Sequence, residues 1–131
     1  MTPADTEHGG SIGDRAWVVM SRRWNCTVVT VSGEVDMQSA APLERTLESA
    51  ASSSRVRSSC LVVDLTELVF LDSSGLGVLI SARNYALVRG VSMVLVNPPP
   101  LMRRLLTQTR LHRSFAIYDT LDDALAALPA R

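Results

Sequence analysis

The chain is short of the residues that most simple site chemistries need. It has two cysteines, Cys26 and Cys60, and two histidines, His8 and His112. Two isolated cysteines cannot close a four-ligand zinc site by themselves, so no metal is expected. In a reducing compartment they read as small apolar residues near strand starts; a redox pair would require neighbouring strands starting at one end of a sheet. There is no lysine; all 13 basic residues are arginines, and 13 acidic residues balance them. A net charge of zero gives no signal for nucleic acid or an anionic membrane. No apolar run reaches the roughly 20 residues that span a bilayer, since Asp64, Glu67 and Asp72 interrupt the longest. The start, "MTPADTEHGGSIGD", has neither the basic nor the apolar segment of a secretion signal. It reads as a flexible tail over residues 1–15, and the protein is expected to be cytoplasmic. No nucleophile sits in a G-x-S-x-G elbow, which argues against a serine hydrolase.

What remains is an ordinary globular composition, 47% hydrophobic and 20% charged over 131 residues. That length suits about one domain, here residues 16–131. The pattern is α/β, with a mixed, mainly parallel sheet of about five strands and about four helices. "AWVVMSRRW" and "CTVVTVSG" form a hairpin turning near Asn25. "GEVD", Gly33 to Asp36, reads as a loop, with Ser39 as an N-cap and Pro42 in the first turn of a helix. That helix fades into the polar loop "SSSRVRSS". "CLVVDLT" and "VSMVLVN" lack alternation, as strands covered on both faces do. A helix from about Asp72 to Val88 ends before Gly90, a C-cap. The prolines Pro98 to Pro100 open another helix, "FAIYD" is a last strand, and Thr120 with Asp123 resembles a capping box.

The junction "VFLDSSGLGVL", Val69 to Leu79, joins an apolar strand end to a helix start through Asp72, Ser73 and Ser74. The plain reading of such residues is N-capping. The same place suits an anion, because the first helical N–H groups are unpaired and the macrodipole is positive there. A phosphate on Ser73 would accept those N–H bonds while adding nearly two negative charges, with Asp72 either repelling it or orienting the hydroxyl. Gly75 and Gly77 each cost a helix up to about 1 kcal/mol against alanine, so close packing or a partner must compensate. Helical spacing puts Ser74, Gly77, Val78, Ser81 and Tyr85 on one side, a docking face. It puts Leu76, Leu79, Ile80 and Leu87 on another, assigned to the core.

The segment "DLTELVFLDSSGLGVLISARNYA", Asp64 to Ala86, resembles the central signature of STAS domains, in particular the bacterial anti-sigma factor antagonists. "GEVD", "VLVNPPPLMRRLL" and "FAIYDTLDDAL" extend the resemblance over about Ala16 to Leu128. It implies a chain that is not an enzyme and holds no cofactor. Its unphosphorylated form would bind an anti-sigma factor that is also a serine kinase, and so free a sigma factor. The kinase would use its own ATP to phosphorylate Ser73, weakening binding, and a separate serine phosphatase would reset it. Asp72, Ser74, Gly75, Gly77 and Ser81 would meet the partner, with Glu34 and Asp36 near the same surface. A STAS scaffold subunit of a lipid-transport or stress-sensing complex, without the switch, is the alternative. One departure is Arg110, where the family usually has a glycine C-cap; it joins a solvated basic cluster with Arg103, Arg104 and Arg113. The triple proline is another.

Overall fold

A computed structural model describes residues 8–52 and 60–128. The strands are β1 (His8–Ser11), β2 (Ala16–Arg23), β3 (Cys26–Val35), β4 (Cys60–Asp64), β5 (Leu68–Leu71), β6 (Ser92–Val96) and β7 (Ala116–Tyr118). The helices are α1 (Met37–Ala51), α2 (Ser73–Val88), α3 (Pro100–Gln108) and α4 (Leu121–Ala127). One sheet runs β1-β2-β3-β4-β6-β7, with β5 paired to the far end of β3. The β1–β2 and β2–β3 pairs are antiparallel, and β3–β4, β3–β5, β4–β6 and β6–β7 are parallel. The mixed, mainly parallel α/β class holds, with seven strands rather than about five.

The sheet begins at His8, inside the segment read as a tail, and Ile12 behind it is buried. The polar loop at residues 53–59 lies outside the described residues. The "GEVD" segment is not a loop: Gly33 to Val35 complete β3. Gly33 is fixed there because it sits at φ +90° and a Cβ would collide with the Arg15 carbonyl.

Two hydrophobic layers hold the sheet. On one face Val29, Val31, Leu61, Val63 and Leu95 meet Leu43 and Leu47 of α1, Leu76 and Leu79 of α2, and Leu106 of α3. On the other, Val28, Val62, Val94 and Val96 meet Ala124 and Leu125 of the short α4, with Leu121, Leu128 and Tyr118 at its margin. This double cover explains the unbroken apolar runs of β4 and β6.

At the start of the parallel strands Cys26 and Cys60 are register partners, with Cα atoms 4.7 Å apart. They are disulfide-bonded, which corrects the reading of two separate small apolar residues. Spacing along the chain does not reveal this; the adjacency of β3 and β4 does. Both residues are buried, so the pair replaces core volume at the same time.

Candidate functional site

The site is built where two strands end side by side. Val35 of β3 is the register partner of Leu71 of β5, and the Asp72 N–H donates to the Val35 carbonyl at 3.2 Å. The next residues, Asp36 and Asp72, therefore stand abreast, each as the N-cap of the helix that follows. Both are extended, as a cap must be to turn a strand into a helix.

Asp36, not Ser39, is the cap of α1. Its carboxylate accepts from Gln38 N at 2.9 Å and Ser39 N at 3.3 Å, and the Ser39 hydroxyl accepts from Asp36 N at 2.9 Å. Ser39 is thus the reciprocal half of a capping box, and it is buried. Pro42 lies further inside the helix than the first turn. Glu34, just before, is half-exposed and ion-paired to Arg15 at 3.5 Å; a pair this open contributes little stability.

Asp72 makes the corresponding cap on α2. Its Oδ1 accepts from Ser74 N at 3.0 Å, Gly75 N at 3.1 Å and the Ser74 hydroxyl. The hydroxyl bond, then the backbone N–H bonds of Gly75 and Ser74, hold the carboxyl below its ordinary value, against an opposing effect of burial. This corrects the idea that a phosphate on Ser73 would take the first free N–H groups. Two of them are already occupied by Asp72.

The two serines are consequently different. Ser74 is half-buried with its hydroxyl committed to Asp72. Ser73, the first residue of α2, is exposed, and its hydroxyl has no hydrogen-bond partner among the described residues. The glycines differ in the same way. Gly75 is buried, and a Cβ on it would lie 2.7 Å from Leu71 Cγ and 3.0 Å from Val35 Cγ1. It lets α2 press against the strand ends and is not on the surface. Gly77 is exposed, with open space where a Cβ would be.

The exposed line on α2 is Ser73, Gly77, Ser81 and Asn84, continuing to Val88. Val78 is buried in the core and Leu87 is exposed, reversing their sequence assignments. Helical spacing misplaced them because α2 is apolar nearly all round, so its period marks no single buried side. Tyr85 is half-buried; its hydroxyl hydrogen-bonds the Ser52 hydroxyl at 2.6 Å, and the Arg89 guanidinium lies 3.9 Å from its ring centre.

The structure also shows features near the site that no motif signalled. Val69 and Phe70, read as the end of a buried strand, are 71% and 44% exposed. Leu101, in the first turn of α3, is 67% exposed. Among the described residues no cluster of three or more His, Cys, Asp or Glu side chains is placed to hold a metal ion. No helix there is long and apolar enough to cross a membrane.

Comparisons with known proteins agree with this architecture. The family model described as the STAS domain matches residues 18–124. A Paenibacillus polymyxa protein named anti-sigma F factor antagonist is 29% identical over 111 residues, covering 85% of this chain and 93% of that one. The Mycobacterium tuberculosis protein named anti-sigma-F factor antagonist RsfB is 28% identical over 118 residues, covering 90% and 93%. A crystal structure of an anti-sigma factor antagonist from Mycobacterium paratuberculosis superposes with a TM-score of 0.71 at 29% identity, over 97% of both chains.

Proposed function

This chain belongs to the STAS domain family, and from that premise we propose that it is an anti-sigma factor antagonist switched by phosphorylation of Ser73. The bare form binds an anti-sigma factor that is also a serine kinase, releasing a sigma factor. A serine phosphatase restores the bare form. The chain itself is the substrate of this chemistry, not its catalyst.

The carrying observation is the inequality of the two serines: one hydroxyl is exposed and unpartnered, the other is held by Asp72. In the transfer, Ser73 Oγ forms a bond to the γ-phosphorus of the partner's ATP, the bond to ADP breaks, and the hydroxyl proton passes to a base of the kinase. The product carries nearly two negative charges beside Asp72, whose lowered pKa keeps it ionised. A partner that covers this end must then bury like charges together, and an uncompensated buried charge costs several kcal/mol. Glu34, Asp36, Ser81 and Gly77 lie on elements that border the same end or the exposed line of α2, and are proposed to join the contact; Gly75 supports it from below.

The test uses the anti-sigma ATPase encoded in the same genome. Incubation with ATP should place one phosphate on Ser73, located by mass spectrometry. Ser73→Ala should bind the ATPase constitutively and Ser73→Asp poorly. Equal affinity of the phosphorylated and bare proteins would leave only a scaffold of this fold.

A further inference from the structure

Beside the switch, β5 and α3 enclose a groove of about 180 Å³ lined by Val69, Phe70, Leu71, Leu101, Met102 and Leu105. An apolar cavity of about 150 Å³ holds a benzene ring, so this space fits one leucine or phenylalanine side chain. Three of its walls, Val69, Phe70 and Leu101, are exposed large apolar residues. A contiguous exposed apolar patch of this kind marks a contact surface more often than a bare face.

We infer that this groove is the second half of the antagonist's docking surface, seating one apolar side chain of the anti-sigma partner with a carboxylate beside it. The inference rests on the antagonist reading above. Continuity supplies the occupant. Leu71, a wall of the groove, is followed directly by Asp72 and Ser73, so the groove adjoins the surface that a partner covering Ser73 would meet. Charge supplies its chemistry. Asp36 and Asp72 place a carboxylate at the start of each of α1 and α2. On the α3 side Arg104 lines the groove, is exposed, and makes no ion pair among the described residues. Its neighbour Arg103 is already held by Asp119 at 3.1 Å and by the Pro98 carbonyl at 3.2 Å. The free guanidinium therefore selects a carboxylate next to the buried anchor.

The groove and the switch then act separately: one supplies affinity, the other removes it through charge. Isothermal titration of the purified anti-sigma ATPase of the same genome against four proteins decides this. Leu101→Ser should weaken binding at least tenfold and Arg104→Glu at least fivefold, with the melting temperature of each unchanged. Ser73→Asp should weaken binding independently, and the parent sets the reference. If Leu101→Ser and Arg104→Glu bind like the parent while Ser73→Asp binds poorly, the groove inference is wrong and the antagonist reading stands. If the parent itself does not bind, the antagonist reading is wrong and takes this inference with it. Sedimentation velocity covers the other occupant: a parent that dimerises, with Leu101→Ser monomeric and ATPase binding unaltered, assigns the groove to a second copy and overturns the proposal.

Discussion

Replacing each glycine of α2's first two turns by alanine should move stability in opposite directions. Both changes gain helix propensity, up to about 1 kcal/mol, by restricting the unfolded chain. At Gly77 the new methyl would meet nothing within 4 Å beyond its chain neighbours and the adjoining backbone of its own helix, so the gain is kept. At Gly75 the methyl would lie 2.7 Å from Leu71 Cγ and 3.0 Å from Val35 Cγ1. Leu71 Cγ is a branch point and not a flexible tip, and Val35 is fully buried, so neither yields freely. Overpacking of this kind costs about 1–3 kcal/mol, which cancels the propensity gain and exceeds it by up to about 2 kcal/mol. For a domain of this size each kcal/mol moves the melting temperature by about 3–5 °C. Thermal unfolding followed by circular dichroism should therefore place Gly77→Ala a few degrees above the parent and Gly75→Ala several degrees below it. Equal shifts of the same sign would refute the assignment of Gly75 to close packing. The same Gly77→Ala protein, although more stable, should bind the anti-sigma ATPase less well if that partner approaches the helix backbone beside Ser73.

Acid should remove the contribution of the Asp72 cap. Its pKa is lowered on folding, so its ionised form stabilises above the unfolded value of 3.8 and that stabilisation is lost as pH falls below it. Urea midpoints of Asp72→Asn and the parent should differ most above pH 4 and converge in more acidic buffer; a constant difference would show that the charge contributes nothing. Reducing the Cys26–Cys60 bond should destabilise the fold by up to about 4 kcal/mol, from the chain entropy regained by a closed loop of 34 residues' separation. Comparing denaturation with and without a thiol reductant checks this, and unchanged midpoints would mean the bond is not formed in solution. Arg110 occupies a left-handed conformation at φ +63°, which a glycine adopts at less cost. Arg110→Gly should raise stability by about 1 kcal/mol in the same assay, and a loss would show that the arginine side chain holds this turn.

The sequence is most legible where one physical rule acts alone. β4 and β6 read as buried strands because helices cover both faces, and the prolines before α3 mark its start because Pro100 needs no N–H there. The C-terminus of α2 was equally plain: Gly90 stands at φ +74° and its N–H reaches Leu87 O while that of Val91 reaches Ala86 O, a Schellman closure. Legibility fails where two rules compete. "HGGS" lacks every strand preference, yet it pairs with β2 from His8↔Met20 to Ser11↔Trp17. "DMQS" offers two capping residues three apart, and only geometry shows that Asp36 caps while Ser39 answers. Phe70 and Val69 look like core, but β5 pairs with β3 beyond the end of β4 and leaves them open. The disulfide needed strand order, a long-range fact, and no local pattern carries that.

The site proposed as the switch shows why residue types located it but could not describe it. Serine and aspartate at a strand–helix junction are ambiguous, since each can cap and each can face a partner. The structure divides the roles. Asp72 satisfies two helix N–H groups and ties down Ser74, which leaves Ser73 with no structural duty among the described residues. A hydroxyl without a structural duty can be modified without unravelling the helix beneath it. Because Asp72 already occupies two of the first N–H groups, those of Ser74 and Gly75, a phosphate on Ser73 would find fewer of them free. Its charge is then felt by whatever covers that surface more than by the fold. A binding switch of the kind proposed needs a residue that changes an interface while leaving its own domain intact, and the cap on α2 leaves the Ser73 hydroxyl exposed and without a partner among the described residues, as that role requires.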